Sequence, residues 1–487
     1  MNLVLHPRAA PPDRLRLWVG AFQATAPPVL HWFLDGVETV PDAHRPIQSV
    51  RPDAMLPIES PPSAQPRVFS GVYEFAGLAP DTVHGVTVEA AGTSATLMAR
   101  TLPSQVPVSL AGTFNVLLVS CFHQHEDRKG LAGIIVSQLP PSARPHLSLL
   151  MGDQVYLDLP TLQNFPNNEA WLAKKFEDDY ARNWRGSPGY AQVLAAAPSL
   201  AIPDDHEFWN NYPHPSPMIG NSLSQTGRDR WRRAALAVFE GFQRPYPSGP
   251  DEPATLDVEP LSFFLADMRS RRDPGRAFLL TDPAHTRLAQ WIDRVIAQRR
   301  FAVFVTGQSL FSEPVSSLSG TIADFELPNY ADYGRVMRQL ERLADAGLPA
   351  LCFTGDVHWG RITESVDVRT QRTAFYEIIS SPSSLVTTIG LDTVKQVGGW
   401  ISGLFGKPKP WPRHKEADRP PSFLASGDLA GRFRNSRVHG QRGNHVALLR
   451  FVQHGGGLSF RATYWPISRE IDVGRPVELG PFQLKIH

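Results

Sequence analysis

FNVLLVSC, residues 114–121, is the stretch on which the fold turns. It is apolar but for Asn115, stops at Ser120-Cys121, and is too short for a buried helix. Such a run reads as a strand covered on both faces. Five more follow: HLSLLMGD (146–153), LSFFLADM (261–268), FAVFVTG (301–307), ALCFTGDV (350–357) and AFYEIIS (374–380). Between them lie helical patterns. TDPAHTRLAQWIDRVIAQ (281–298) opens on an Asp-Pro start signal and spaces Leu288, Trp291, Ile292 and Val295 along one face, and RDRWRRAALAVFEGF (228–242) is similar. Strands alternating with helices predict a layered α/β domain, closed by a hairpin in HVALLRFVQHGGGLSFRATYWPI (445–467).

Upstream the pattern changes. RLRLWVGAF and VHGVTVEAAG alternate polar and apolar residues between Pro, Gly and Asp punctuation, which predicts strands with one buried face. GLAPDTVHGVTVEA resembles the closing hairpin of fibronectin type III modules. Residues 1–103 are therefore expected to form a fibronectin III/Ig-like β-sandwich, and 104–487 an α/β catalytic domain, with LPSQVPVS (102–109) as linker. A chain of 487 residues has room for two or three domains.

Composition excludes several classes. A net charge of +1 gives no basic surface for a nucleic-acid partner. No apolar run approaches the roughly 18 residues that span a membrane. Cys121 and Cys352 are the only two cysteines and both sit in strand-like runs, so no disulfide framework is expected. MNLVLHPRAAPPDRLRLWVG has neither a signal-peptide core nor paired arginines before one, which gives a cytoplasmic expectation. GLDTVKQVGGWISGLFG (390–406) carries a roughly helical apolar stripe, but its glycines favour a surface insertion over a lid or a lipid-facing helix.

Open α/β sheets gather ligands at the carboxyl ends of their strands. Here four such ends carry metal-ligand residue types: Cys121; Asp153 and Tyr156 in GDQVY; Asp204, Asp205, His206 and Glu207 in IPDDHE; and Asp356 and His358 in GDVH. One Gly-Asp alone is usually a turn. Four ends that can converge on one rim place acids where only a cation would offset their burial and repulsion. A thiolate and a phenolate suit a Lewis-acidic ion such as Fe³⁺, and carboxylates alone suit Ca²⁺, Mg²⁺ or Mn²⁺. The donor set thus points to an unlike pair sharing one carboxylate. Such pairs, about 3.5–4 Å apart, hold hydroxide at neutral pH for in-line attack on phosphorus.

The series SC, GDQVY, DDHE followed by NN, LADMRSRRD and FTGDVH resembles the alkaline phosphatase D (PhoD-like) family of the calcineurin-like metallophosphoesterase superfamily, over about residues 105–470. The resemblance implies a four-layer αββα sandwich and a phosphatase or phosphodiesterase acting on a small phosphoester. It implies two cations, Fe³⁺ and Ca²⁺, with Mn²⁺, Mg²⁺ or Zn²⁺ as alternatives. Cys121, Tyr156 and His358 would hold the iron and Asp153 would bridge. Asp205 and Asp356 would bind the second ion. His206 would be the catalytic imidazole, oriented by Glu207, with Asp204 in a supporting role. Arg269 would contact phosphate or form a structural ion pair.

Departures from the pattern matter too. His123 and His125 follow Cys121 without a family counterpart and are expected to be plain loop residues near the site, with lining the substrate pocket or adding a ligand as alternatives. The triplet Gly443-Asn444-His445 lacks a following acid and comes after GDVH, so His445 reads as a strand-edge residue. No histidine fills the superfamily's fourth motif; FVTGQSLF offers Gln308 and Ser309 instead. Two competing readings remain. One is a Cys121-dependent hydrolase, for which Arg128 lies one residue too far to complete a phosphate-cradling Cys loop; the other is an inactive binding scaffold.

Overall fold

The computed structural model describes residues 1–56, 65–108, 112–127, 129–160, 164–244, 252–312, 326–384, 431–455, 457–467 and 475–486. The expectations on Arg128 and on residues 390–406 fall outside the described residues.

The N-terminal part contributes eight strands: β1 (Asn2–Arg8), β2 (Arg14–Ala24), β3 (His31–Leu34), β4 (Val37–Glu38), β5 (Asp42–Ser49), β6 (Arg67–Ala76), β7 (Val83–Ala90) and β8 (Thr93–Arg100). The first α/β half follows as β9 (Phe114–Val119), α1 (Leu131–Ser137), β10 (Leu147–Met151), α2 (Glu169–Arg185), α3 (Tyr190–Ala195), β11 (Ser199–Ile202) and α4 (Gln225–Phe242). The second half holds β12 (Ala254–Val258), β13 (Leu261–Leu265), α5 (Asp282–Gln298), β14 (Phe301–Val305), α6 (Tyr333–Asp345), β15 (Ala350–Thr354), β16 (Gly360–Asp367) and β17 (Arg372–Ile379). The chain closes with β18 (Phe433–Gln441), β19 (His445–His454), β20 (Gly457–Pro466) and β21 (Val477–Lys485).

These strands form a ten-stranded sheet in the order β21-β20-β19-β9-β10-β11-β1-β2-β6-β5, a seven-stranded sheet β12-β13-β14-β15-β17-β16-β18, and a four-stranded sheet β4-β3-β7-β8. In the first sheet β9, β10 and β11 run parallel. In the second, β13, β14, β15 and β17 do. The continuous apolar runs follow from what covers each face. In β9, Phe114, Val116 and Leu118 point into the core between the two large sheets, and Leu117 and Val119 into the core under α1 to α4. In β14, Val303 and Val305 face the inter-sheet core, whereas Ala302 and Phe304 face α5 and α6. The result is a four-layer αββα sandwich, with the small sheet packed on β1, β2 and β6 through a separate core around Leu17, Val19, Trp32 and Val88.

The boundary expected at residue 103 divides the sequence but not the sheets. β1 pairs in parallel with β11 through Arg8 and Ser199, so four N-terminal strands extend the ten-stranded sheet. The last carbonyls of α4 seal this join. A helix ends with carbonyls that have no partner in the helix. The Gly241 carbonyl accepts from Trp18 Nε1 (2.8 Å), Arg45 Nη2 (2.7 Å) and Ser70 Oγ (2.9 Å), and that of Phe242 accepts from Arg8. Nor is 102–109 a free linker, because Leu102 and Val106 are buried in the inter-sheet core and the Val106 amide donates to the Glu259 carbonyl at 2.6 Å.

Candidate metal centre

The strand ends singled out in the sequence meet at one rim. Cys121, Asp153 and His358 place a sulfur, a carboxylate oxygen and an imidazole nitrogen within 4.8 Å of one another. Asp153, Asp204, Asp205 and Asp356 do the same with four carboxylates, and Asp153, Asp205 and His206 form a third such group. Asp153 belongs to all three.

The backbone is bent to achieve this. Cys121, Asp153, Asp356 and His358 all have left-handed φ, of 53°, 57°, 65° and 60°. Non-glycine residues rarely adopt this region, and clusters of them mark sites that the surrounding fold over-determines. The glycines of the two Gly-Asp pairs let strands crowd here. A Cβ on Gly152, itself at φ +83°, would lie 2.5 Å from the Asp204 Cβ, and one on Gly355 would lie 2.5 Å from the Met151 carbonyl oxygen.

Two buried glutamates hold the ligand loops. Glu207 accepts from the amides of Asp153 (2.8 Å), Gln154 (2.6 Å) and Asp204 (2.8 Å) and from Gln243 Nε2 (3.0 Å), which clasps the loop after β10 to the loop after β11. Glu377 accepts from Ser309 Oγ and the Leu310 and Phe311 amides, fixing the turn from which Gln308 donates to Asp356 at 3.1 Å. Ser381 links two candidate ligands: its hydroxyl lies 3.2 Å from Cys121 Sγ and accepts from the His358 amide at 3.0 Å.

Several expectations change on this geometry. Glu207 does not orient His206. That place belongs to Asp158, fully buried, whose Oδ1 lies 2.8 Å from His206 Nδ1. Its signal in the sequence was a lone acid two residues past Tyr156 in QVYLDL, which the search for strand-end ligands passed over. Arg269 is 1% exposed and its guanidinium engages the Asp204 carboxylate and the Tyr212 carbonyl, which describes a structural ion pair rather than an arm toward substrate. Asp204 belongs to the four-carboxylate group. With Oδ1 taken by Arg269, its Oδ2 is buried without a hydrogen-bond partner among the described residues, inside the four-carboxylate group. His445 is fully buried on β19 with Nδ1 on the Gly443 carbonyl, a structural placement. His123 is buried beside Tyr156, with ring centroids 5.4 Å apart, and lines a cleft.

The electrostatics ask for cations. Burial, with Asp153 and Asp356 adding to it, pushes the Cys121 thiol well above its ordinary value. Burial likewise raises Asp153, where His206 opposes and Asp205, Asp204 and Glu207 reinforce. Tyr156 is raised by burial and by Cys121 and Asp153, and its hydroxyl has no hydrogen-bond partner among the described residues. Buried acids that repel one another beside an unpartnered phenol are what a cation would satisfy, so the donor set fits a pair of metal ions. His206 is raised too, which for an imidazole favours the charged form. Burial alone would lower it, but Asp158, Asp205 and Asp153 outweigh that and hold it well above the usual imidazole range.

Compared with solved structures, the chain matches a structure of PhoD with a TM-score of 0.61 over 98% of its own length and 88% of that chain, at 13% sequence identity. The fold is PhoD-like. A structure of a purple acid phosphatase from seeds of yellow lupin (Lupinus luteus) matches at a TM-score of 0.54, covering 98% of this chain and 74% of that one, at 11% identity. The sequence matches no family model and no curated protein, so the likeness lies in three-dimensional arrangement. Among the described residues no helix is long and apolar enough to cross a membrane.

Proposed function

We propose that this protein is a metal-dependent phosphoester hydrolase whose dinuclear centre is held by Cys121, Asp153, Tyr156, Asp205, Asp356 and His358, with Asp204 as an added ligand. The observation that carries the reading is the shared position of Asp153, whose carboxylate sits in both the thiol–imidazole group and the four-carboxylate group. The first group suits Fe³⁺, and the second suits Ca²⁺, Mn²⁺ or Mg²⁺, with Zn²⁺ also accommodated. The PhoD-like fold, shared with a protein named as a purple acid phosphatase, supports the same class. When bound, such a pair supplies Lewis acidity at the phosphoryl oxygens and activates water as nucleophile.

The chain's own residues complete the reaction. A water oxygen bonds phosphorus while the ester P–O bond opposite it breaks. His206 holds the proton that the departing oxygen needs, because Asp158 fixes Nδ1 and, with Asp205 and Asp153, favours the protonated ring. The alternative that uses Cys121 as nucleophile loses ground on chemistry. A nucleophilic cysteine needs a lowered pKa, whereas burial and two carboxylates push this thiol up.

Elemental analysis of the purified protein, paired with hydrolysis of nitrophenyl phosphate mono- and diesters, tests the proposal. Two metal ions per chain, and activity that vanishes on chelation and returns with metal, are the expected results. Full activity in a metal-free preparation would overturn it.

A further inference from the structure

A cleft of about 240 Å³ opens beside the candidate centre, and the proposed chemistry does not yet use it. Its floor is Tyr156 and His123, and Val155, Leu159 and Pro160 give it an apolar wall. Tyr156 ties the cleft to the reaction, since its ring lies tilted against His206 with centroids 4.2 Å apart. The group reached from the His206 side of the phosphorus is the one that departs, on the reading of His206 given above.

The two cations of the cleft share one acid. Lys175 Nζ lies 2.7 Å from Asp179 Oδ2 and also donates to the carbonyls of Leu157 (3.1 Å) and Leu159 (3.4 Å). Arg182, on the exposed rim with His125, pairs with the other oxygen of Asp179. Both cations are held in place by these contacts. His123 differs: it is 4% exposed, and its Nδ1 has no hydrogen-bond partner among the described residues. His123 lines the cleft, and an imidazole there favours a hydrogen-bonding group on whatever enters. Size narrows the choice further, because a cavity of roughly 150 Å³ holds benzene.

We propose that this cleft receives the leaving alcohol of the phosphate ester, an alcohol of about one ring in size carrying a polar substituent that meets His123. The inference rests on the phosphoester reading and deepens it. It makes Leu159 and His123 determinants of leaving-group specificity.

The test compares kcat/KM for phenyl against methyl phosphate esters, as monoesters or symmetric diesters according to which the wild-type metalloprotein turns over. Comparing that ratio between wild type and variant cancels intrinsic leaving-group reactivity. Leu159→Trp, which fills the cleft, is expected to lower the phenyl-to-methyl ratio at least tenfold with metal content retained. Gln124→Trp fills it from another segment and serves if Leu159→Trp does not fold. His123→Phe is expected to lower the preference for 3-hydroxyphenyl over phenyl esters about fivefold, the worth of roughly one hydrogen bond. Ratios unchanged in both filled variants, or a hydroxyl preference indifferent to His123, would overturn the proposal. Wild-type protein that binds metal but cleaves no phosphate ester would instead defeat the phosphoester reading, and this inference with it.

Discussion

Asp158 and Glu207 are both buried acids, yet they serve the centre differently, and the difference can be measured. Asp158 acts on the proton. Because it helps hold His206 above the usual imidazole range, Asp158→Asn lowers the His206 pKa. A general acid must be protonated, so the falling limb of the pH–rate profile should move to lower pH in that variant, with turnover reduced by up to roughly 10²-fold and metal retained. His206→Ala should keep its metal and lose roughly 10²–10⁴-fold in turnover; if it loses metal as well, His206 is a ligand. Glu207 acts on the scaffold. Each of its oxygens accepts two N–H donors, so Glu207→Gln must turn an amide NH₂ against two of them. A cost of about 3 kcal/mol is expected in chemical denaturation, with weaker binding of both cations, since the two loops it clasps carry ligands of each. Asp153→Ala should lose both ions in elemental analysis, as a carboxylate common to both ligand groups would.

At the scale of elements, the centre depends on a helix that supplies none of its ligands. α4 ends where Arg8, Trp18, Arg45 and Ser70 meet its last carbonyls, and Gln243, just past that end, reaches Glu207. The N-terminal strands are thereby coupled to the loops after β10 and β11. Trp18→Phe keeps the ring stacked against His6, 5.5 Å away, but removes one donor to Gly241. Two donors remain there, so the cost should be near 1 kcal/mol rather than that of an orphaned carbonyl. Ser70→Ala in the same background should cost more than it does alone, a coupling that a double-mutant cycle would register.

For the molecule as a whole, the shared sheet decides what can be removed. Deleting residues 1–103 would strip β1 from β11 and uncover Leu200 and the carbonyl end of α4. The remainder is expected to be insoluble or partly unfolded rather than a free catalytic domain. Buried neutral histidines at the seams add a pH dependence. Burial lowers His6 to about 3, and His146 and His445 to about 4. In the unfolded chain each would take up a proton near pH 6.5. The stability they contribute is therefore complete above pH 6.5 and drains as the pH falls toward the folded values, by on the order of 1 kcal/mol per histidine per pH unit. His6→Asn should flatten the slope of unfolding free energy between pH 6 and about 4 by roughly one proton's worth, read from urea midpoints.

Local chemistry was legible in the amino-acid order. Short apolar runs such as FNVLLVSC became strands because layers cover both their faces, and Gly152-Asp153 and Gly355-Asp356 announced strand ends where the acid itself is left-handed. Those signals lie within a few residues of one another, which is the range over which sequence periodicity and turn chemistry act. What folding alone decided was partnership across long separations. Asp158 rather than Glu207 faces His206, Arg269 is spent on Asp204, and β1 pairs with a strand about 190 residues later in the chain. In each case a carboxylate or a strand edge had several chemically equivalent partners available. Only the packing of four layers set which of them came within hydrogen-bonding distance.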